Sequence, residues 1–97
     1  MPQTDILVEG EALDQDAPVQ TGGTLAAIQV ESMEGDIEFY DTDDVETVTP
    51  STPKLLVIGR FCVPESEGGN PILAAKAFSN GLSYILRGNT KVHLAIE

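Results

Sequence analysis

The amino-acid sequence predicts an all-β protein: a single small antiparallel β-sandwich, jelly-roll-like, preceded by an extended N-terminal arm. Two observations predict this fold class. Apolar residues alternate with polar ones at period two in several short segments, which is the pattern of half-buried strands. Turn-forming residues separate these segments at the spacing typical of a sandwich or small barrel, which gives about six or seven strands.

Residues 77–97 carry the clearest strand pattern. Two apolar runs are joined through Gly88 and Asn89, which both accept the positive φ of a tight turn, so we expect a β-hairpin. The final strand places Val92, Leu94 and Ile96 on one face and Lys91, His93 and Ala95 on the other. The apolar face requires a second sheet to pack against.

A second hairpin is expected in the first half of the chain. Residues 24–31 and 36–41 alternate at period two and are separated by a turn at 32–35. The side chains expected to point inward are Ala26, Ile28 and Val30 in the first strand and Ile37 and Phe39 in the second, with Glu38 outward.

Three further segments complete the sandwich. Residues 41–53 are acidic and threonine-rich and contain two prolines, which predicts a long surface loop. Residues 55–63 are apolar nearly throughout, which predicts a central strand buried on both faces. Residues 72–78 predict a strand, with a single helical turn as the alternative because their alanines favour helix.

Residues 1–23 are interpreted as an extended arm outside a sandwich domain at 24–97. Glycine, proline and acidic residues surround the short apolar run Ile6, Leu7 and Val8. One interpretation is an arm that lies across a neighbouring molecule, with these three residues as its partner-binding contact. The other is a terminus without fixed structure.

The formal charge of −11 is unevenly distributed. Residues 1–50 carry 13 acidic residues and no Lys or Arg, whereas residues 51–97 carry three acidic and five basic residues. Such a chain is not expected to bind nucleic acid or an anionic membrane surface. One interpretation of the acidic half is that it keeps the protein soluble. The other is that it docks onto a basic partner surface or binds a cation weakly.

Targeting and redox signals are few. No apolar run approaches the length that spans a bilayer, and the first residues lack the pattern of a secretory leader, so we expect a soluble protein made in the cytoplasm. A lone cysteine, Cys62, excludes an intramolecular disulfide.

Candidate chemistry is sparse, and neither a cofactor nor an enzymatic activity is expected. The carboxylates of Asp41, Asp43, Asp44 and Glu46 form a candidate weak cation loop, although the loop lacks the glycine of an EF-hand, and a solvated loop is the favoured interpretation. His93, the only histidine, is expected at the surface or at a subunit contact rather than in a metal site. Cys62 lies in the most apolar segment, where desolvation suppresses the thiolate, so a Cys62–His93 nucleophile pair is not expected.

Several short motifs resemble those of small all-β virion proteins of tailed bacteriophages. They occur in the same order over residues 24–97: a strand ending in Tyr40-Asp41, Val63-Pro64 before a glycine-rich loop, Phe78-Ser79-Asn80-Gly81-Leu82, and the terminal strand Thr90-Lys91-Val92-His93-Leu94.

This resemblance implies a capsid decoration, or cement, protein. Such a protein binds the outside of the head as a homotrimer and stabilises contacts between subunits of the major capsid protein. It is located on the capsid surface of the virion, and in the host cytoplasm during assembly. The resemblance carries over no catalytic residues. The alternatives are a small head-fibre, collar or tail component, or a carbohydrate- or receptor-binding module, for which Tyr40 and Tyr84 are the available stacking aromatics.

Overall fold

The computed structural model describes residues 4–11, 13–59 and 72–97. Over these ranges the chain forms eight β-strands and one 3₁₀ turn at Val45–Thr47. The strands are β1 (Thr4–Gly10), β2 (Leu13–Val19), β3 (Gly23–Met33), β4 (Ile37–Tyr40), β5 (Leu56–Ile58), β6 (Ile72–Phe78), β7 (Leu82–Arg87) and β8 (Thr90–Ile96).

The strands form two four-stranded antiparallel sheets. Sheet A has the order β1-β8-β3-β6, and sheet B has the order β2-β7-β4-β5. The first strand pairs with the last, β2 with β7, β3 with β6 and β4 with β5. The chain is therefore one long antiparallel hairpin rolled up so that β8 also pairs with β3 and β7 with β4, which is the arrangement of a jelly roll. The predicted all-β sandwich is confirmed.

The core lies between the two sheets and is mostly aliphatic. Sheet A contributes four residues of β3 and alternate residues of β8, and sheet B contributes Ile37 and Phe39 of β4. The predicted inward face of β8 is confirmed, since Val92, Leu94 and Ile96 are buried and His93 is exposed. Ala26 is only half-buried, because register shifts in β3 bring Leu25 to the core as well as Ile28 and Val30.

Both predicted hairpins are wrong in their pairing, although all four strands exist. The strands β7 and β8 belong to different sheets, and so do β3 and β4. The period-two pattern identifies which side chains point inward, but it does not identify the neighbouring strand. A tight glycine turn between two apolar runs therefore also fits a chain that crosses from one sheet to the other.

This crossing is a shared corner, formed by the β3–β4 and β7–β8 connections side by side. The Glu34 amide donates to the Asn89 carbonyl at 2.9 Å, and the Arg87 amide donates to the Asp36 carbonyl at 2.9 Å. Gly88 has a φ of +88°, and Gly35 lies so close to Arg87 that an added Cβ would overlap its carbonyl oxygen. The hydrogen-bonded ribbon thus continues around the corner.

The boundary between an arm at 1–23 and a sandwich at 24–97 is corrected. Residues 4–10 are β1, paired with β8, and residues 13–19 belong to β2, which pairs with β7. Val8 is buried in the core and Ile6 packs against it. The breakers that suggested an arm instead separate two short strands, one for each sheet.

The apolar segment at 55–63 does not form a central strand over its described residues. It contributes β5, three residues long, at the edge of sheet B, where Val57 is exposed. Residues 60–63, including Cys62, lie outside the described residues. The segment 72–78 is the predicted strand rather than a helical turn, and forms the edge strand β6.

Replacing Gly35 by alanine is expected to lower the free energy of unfolding by about 3 kcal/mol, because the new methyl group would overlap backbone that cannot move without breaking the corner. Gly59→Ala is the matched control, since an added Cβ there meets a movable carboxylate oxygen of Asp36 at 3.1 Å. Urea unfolding of both variants measures the difference. Equal losses of stability would contradict the role given to the corner.

Candidate functional site

The outer face of sheet A is the candidate interaction surface. We define it by the outward side chains of two rows that cross the sheet: Leu7, His93 and Gln29 in one row, and Asp5, Ala95, Ala27 and Leu73 in the next. Leu73 is 83% exposed and Leu7 is 51% exposed, at opposite edges of the sheet. Two exposed leucines thus flank small and polar side chains.

A charged cluster borders these rows. One carboxylate oxygen of Glu31 lies 3.0 Å from Nε2 of His93 and 3.5 Å from Nζ of Lys91. The hydrogen bond with His93, helped by the attraction of Lys91, holds the pKa of Glu31 below its ordinary value. The cluster is exposed, so its contribution to stability is small. Its effect is to offset the negative charge of Glu31 on this face.

The predicted partner-binding run Ile6, Leu7 and Val8 is divided between the two sides of β1. Ile6 and Val8 point toward the core, whereas Leu7 points outward. Of these three residues, only Leu7 is therefore available to contact a partner. It belongs to the outer face of sheet A. Alternation along a strand produces this division, which a flexible arm would not impose.

The four acidic residues of the candidate cation loop do not converge on one point. Asp44 caps the 3₁₀ turn by accepting from the Glu46 amide at 3.0 Å. Asp41 accepts from the amides of Ser79, at 3.0 Å, and Asn80, at 2.8 Å. Across residues 4–11, 13–59 and 72–97, no group of three acidic, histidine or cysteine side chains is placed to hold a metal ion.

Asp41 instead attaches the loop after β4 to the β6–β7 connection. Those two backbone amides hold the pKa of the Asp41 carboxyl below its ordinary value. Next to it, the Ser83 hydroxyl donates to the Thr42 carbonyl at 2.7 Å. Sequence reasoning missed this contact because it joins residues about 40 positions apart in the chain.

The outer face of sheet B carries a groove rather than an open surface. Residues of the β4–β5 loop lie over part of the sheet and enclose a volume of about 350 Å³. The groove is lined by Glu38, Tyr40, Val48, Thr49, Pro50, Lys54, Ile85 and Arg87. No sequence motif indicates it, since its residues come from β4, β7 and the loop.

Both tyrosines are buried, which bears on the carbohydrate-binding alternative. Tyr40 is only 4% exposed and lines the groove together with residues of the β4–β5 loop, and Tyr84 belongs to the core. Stacking on a sugar requires an exposed aromatic face. Neither of the tyrosines that the alternative depends on presents one.

Comparison of the chain with family models, with curated proteins and with solved structures gives no match. Within the described ranges, the structure contains no helix with the length and apolar character needed to cross a membrane. Functional inference therefore depends on the residues and their arrangement.

Asp41→Asn is expected to lower the free energy of unfolding by about 1 kcal/mol near neutral pH, as for the loss of a partly exposed carboxylate cap. Because the pKa of Asp41 is lowered in the folded protein, its stabilisation is present above the ordinary carboxyl pKa of about 4 and is lost as the pH falls through the folded value. The stability difference from wild type should therefore shrink in acid. Asp43→Asn, an equal charge change at an exposed position of the same loop, should cost less. A pH series of urea unfolding curves tests this, and a pH-independent difference would contradict it.

The Tyr84 hydroxyl is expected to lose its proton at a higher pH than an ordinary tyrosine. Burial raises its pKa to about 12, and the negative charges of Asp14 and Asp16 add to the effect. The unfolded pKa is about 10, so the stabilisation is complete below pH 10 and is lost as the pH rises through 12. Tyr84→Phe should show a smaller fall in stability over this window than wild type. The tyrosinate absorbance of the native and urea-unfolded protein provides the direct check; a native transition complete near pH 10 would contradict it.

Proposed function

We propose that this chain is a structural protein of a tailed-bacteriophage virion, of the capsid decoration type. It forms a homotrimer on the outside of the head and binds the major capsid protein through the outer face of sheet A. It acts by adhesion and has no catalytic role. The proposal draws on the resemblance of the chain's motifs to those of such proteins. The structural observation that supports it is the outer face of sheet A.

The chemistry of this face suits adhesion to a protein surface. The small side chains of Ala27 and Ala95 allow a partner to approach the sheet closely, while Leu7 and Leu73 project on either side. Burying a fully exposed leucine contributes about 1.5–3 kcal/mol. A symmetric trimer would present three such faces, so weak contacts would add through multivalency.

The distribution of charge also supports this assignment. A chain with a formal charge of −11 is repelled at long range by packaged DNA and by other copies of the same protein. Free trimers would therefore remain separate from one another until a complementary surface is available. A decoration protein requires this behaviour, because it must bind the shell and not the genome inside it.

Two measurements test the proposal. Light scattering of the purified chain gives the number of subunits, with three expected. Co-sedimentation with heads and, separately, with tails of the phage that encodes the chain gives its location. Binding to heads supports the decoration role, whereas binding to tails alone would replace it with the tail-component alternative. Binding to neither would overturn the virion assignment.

Leu73→Ser is expected to weaken head binding at least tenfold while leaving the fold intact, because the side chain is exposed and lies on the proposed contact face. Val57→Ser is the matched control: Val57 is also an exposed aliphatic residue, but it belongs to β5 of the other sheet. Circular dichroism and thermal unfolding establish that both variants fold. Loss of binding in Val57→Ser but not in Leu73→Ser would place the contact on sheet B.

A further inference from the structure

We propose that the groove on the outer face of sheet B binds a carboxylate carried on a short aliphatic stem, such as a glutamate side chain of a polypeptide or a small organic acid. The inference is independent of the virion role. Its basis is the juxtaposition of Lys54 and Arg87 around a single acidic residue, Glu38, in a groove that apolar side chains also line.

The groove has more positive than negative charge. Nη2 of Arg87 lies 3.2 Å from Oε1 of Glu38, and Nζ of Lys54 lies 3.8 Å from Oε2. The Tyr40 hydroxyl donates to Oε1 at 3.4 Å. Two cations thus share one carboxylate. The excess of one positive charge occurs in a chain whose first 50 residues contain no Lys or Arg.

The two cations have unused donors that face solution. A guanidinium group has five N–H donors and an ammonium group has three, and one contact from each to Glu38 leaves most of them unassigned. The Arg87 side chain is 58% exposed and that of Lys54 is 40% exposed, whereas Glu38 is only 15% exposed. A second carboxylate can therefore approach both cations from the open side of the groove, without displacing Glu38.

The other residues of the groove determine the size and polarity of the ligand's aliphatic stem. Ile85 and Tyr40 of the sheet line the groove, and so do Val48 and Pro50 of the β4–β5 loop. A volume of about 350 Å³ lies at the lower end of the range for small-ligand sites. The ligand is thus a short aliphatic acid rather than a large ring system. Arg87 is suited to recognise its head group, because a planar guanidinium pairs with a carboxylate through two parallel hydrogen bonds.

The test uses the full ¹⁵N-labelled chain and amide chemical shifts. The probe is N-acetylglutamate α-amide, which has only its side-chain carboxylate, and N-acetylglutamine α-amide is the uncharged control. We expect saturable shifts at groove residues with the acid and none with the amide. Equal shifts with both probes, or no saturable shift at the groove, would overturn the proposal.

Three variants separate ligand binding from a purely structural role of the ion pairs. Glu38→Gln removes the competing charge and is expected to tighten binding of the acid at least threefold. Arg87→Gln is expected to weaken it at least fivefold. Lys91→Gln, which removes a cation that also pairs with a glutamate but on sheet A, should leave it unchanged. If Glu38→Gln folds and does not tighten binding, the proposal fails.

The two sources of the carboxylate are distinguished by a neutral peptide with a single central glutamate. Tighter binding of the peptide than of the free acid indicates a polypeptide ligand, since its backbone adds contacts along the loop. Tighter binding of the free acid indicates a small-molecule ligand. Either result requires the groove shifts described above, so both support the site and differ only in its occupant.

Discussion

The close approach of Gly35 to the backbone at Arg87 and Gly88 is the constraint on which both sheets depend. On one side of the corner β3 and β8 end their pairing at Met33 and Thr90, and on the other β4 and β7 begin theirs at Ile37 and Leu86. A slip of one residue would turn every side chain of a strand to the opposite face. Because the ribbon is continuous through the corner, the register of one sheet fixes that of the other, and both apolar faces meet in the same core.

The contacts of the β4–β5 loop make the two outer faces different. Asp41 attaches the start of the loop to the β6–β7 connection, and the chain then passes over Tyr40 and Ile85. The outer face of sheet B is thereby narrowed to a groove, whereas that of sheet A stays open. The different shapes favour different ligands, because a groove encloses a small group and an open sheet face meets a surface.

The sequence predicted the faces of the strands well and their partners poorly. Val92, Leu94 and Ile96 were assigned to the core correctly, because period-two alternation reports burial directly. The two hairpins were wrong because a glycine turn is compatible with pairing within a sheet and with crossing between sheets. The N-terminal strands were missed because edge strands are short and are rich in charges and breakers.

The candidate sites were hidden from the sequence for a different reason. The groove brings together Glu38, Lys54 and Arg87. Arg87 is far from the other two in the sequence, so no short motif contains all three residues. The acidic run at 41–46 indicated a cation loop instead, yet two of its carboxylates, those of Asp41 and Asp44, accept hydrogen bonds from backbone amides. A run of acidic residues in the sequence is therefore a poor indicator of a metal site when the backbone amides of nearby turns bind the same carboxylate oxygens. A site assembled from different strands leaves no pattern in any one segment of the sequence.

The placement of the acidic residues in the N-terminal strands limits where another molecule can bind. The edge strand β1 carries Asp5 and Glu9, and the edge strand β2 carries Asp14 and Asp16. Charges on edge strands oppose pairing with the edge of another sheet. The row of Ala95 and Leu73 also carries Asp5, on the β1 edge beside Leu7, whereas the Glu31 carboxylate is paired with His93 and Lys91. Repulsion between acidic side chains thus discourages contact between copies through the β1 and β2 edges. A partner that covers the outer face of sheet A must accommodate Asp5 at its β1 edge, which a basic side chain of the partner would do.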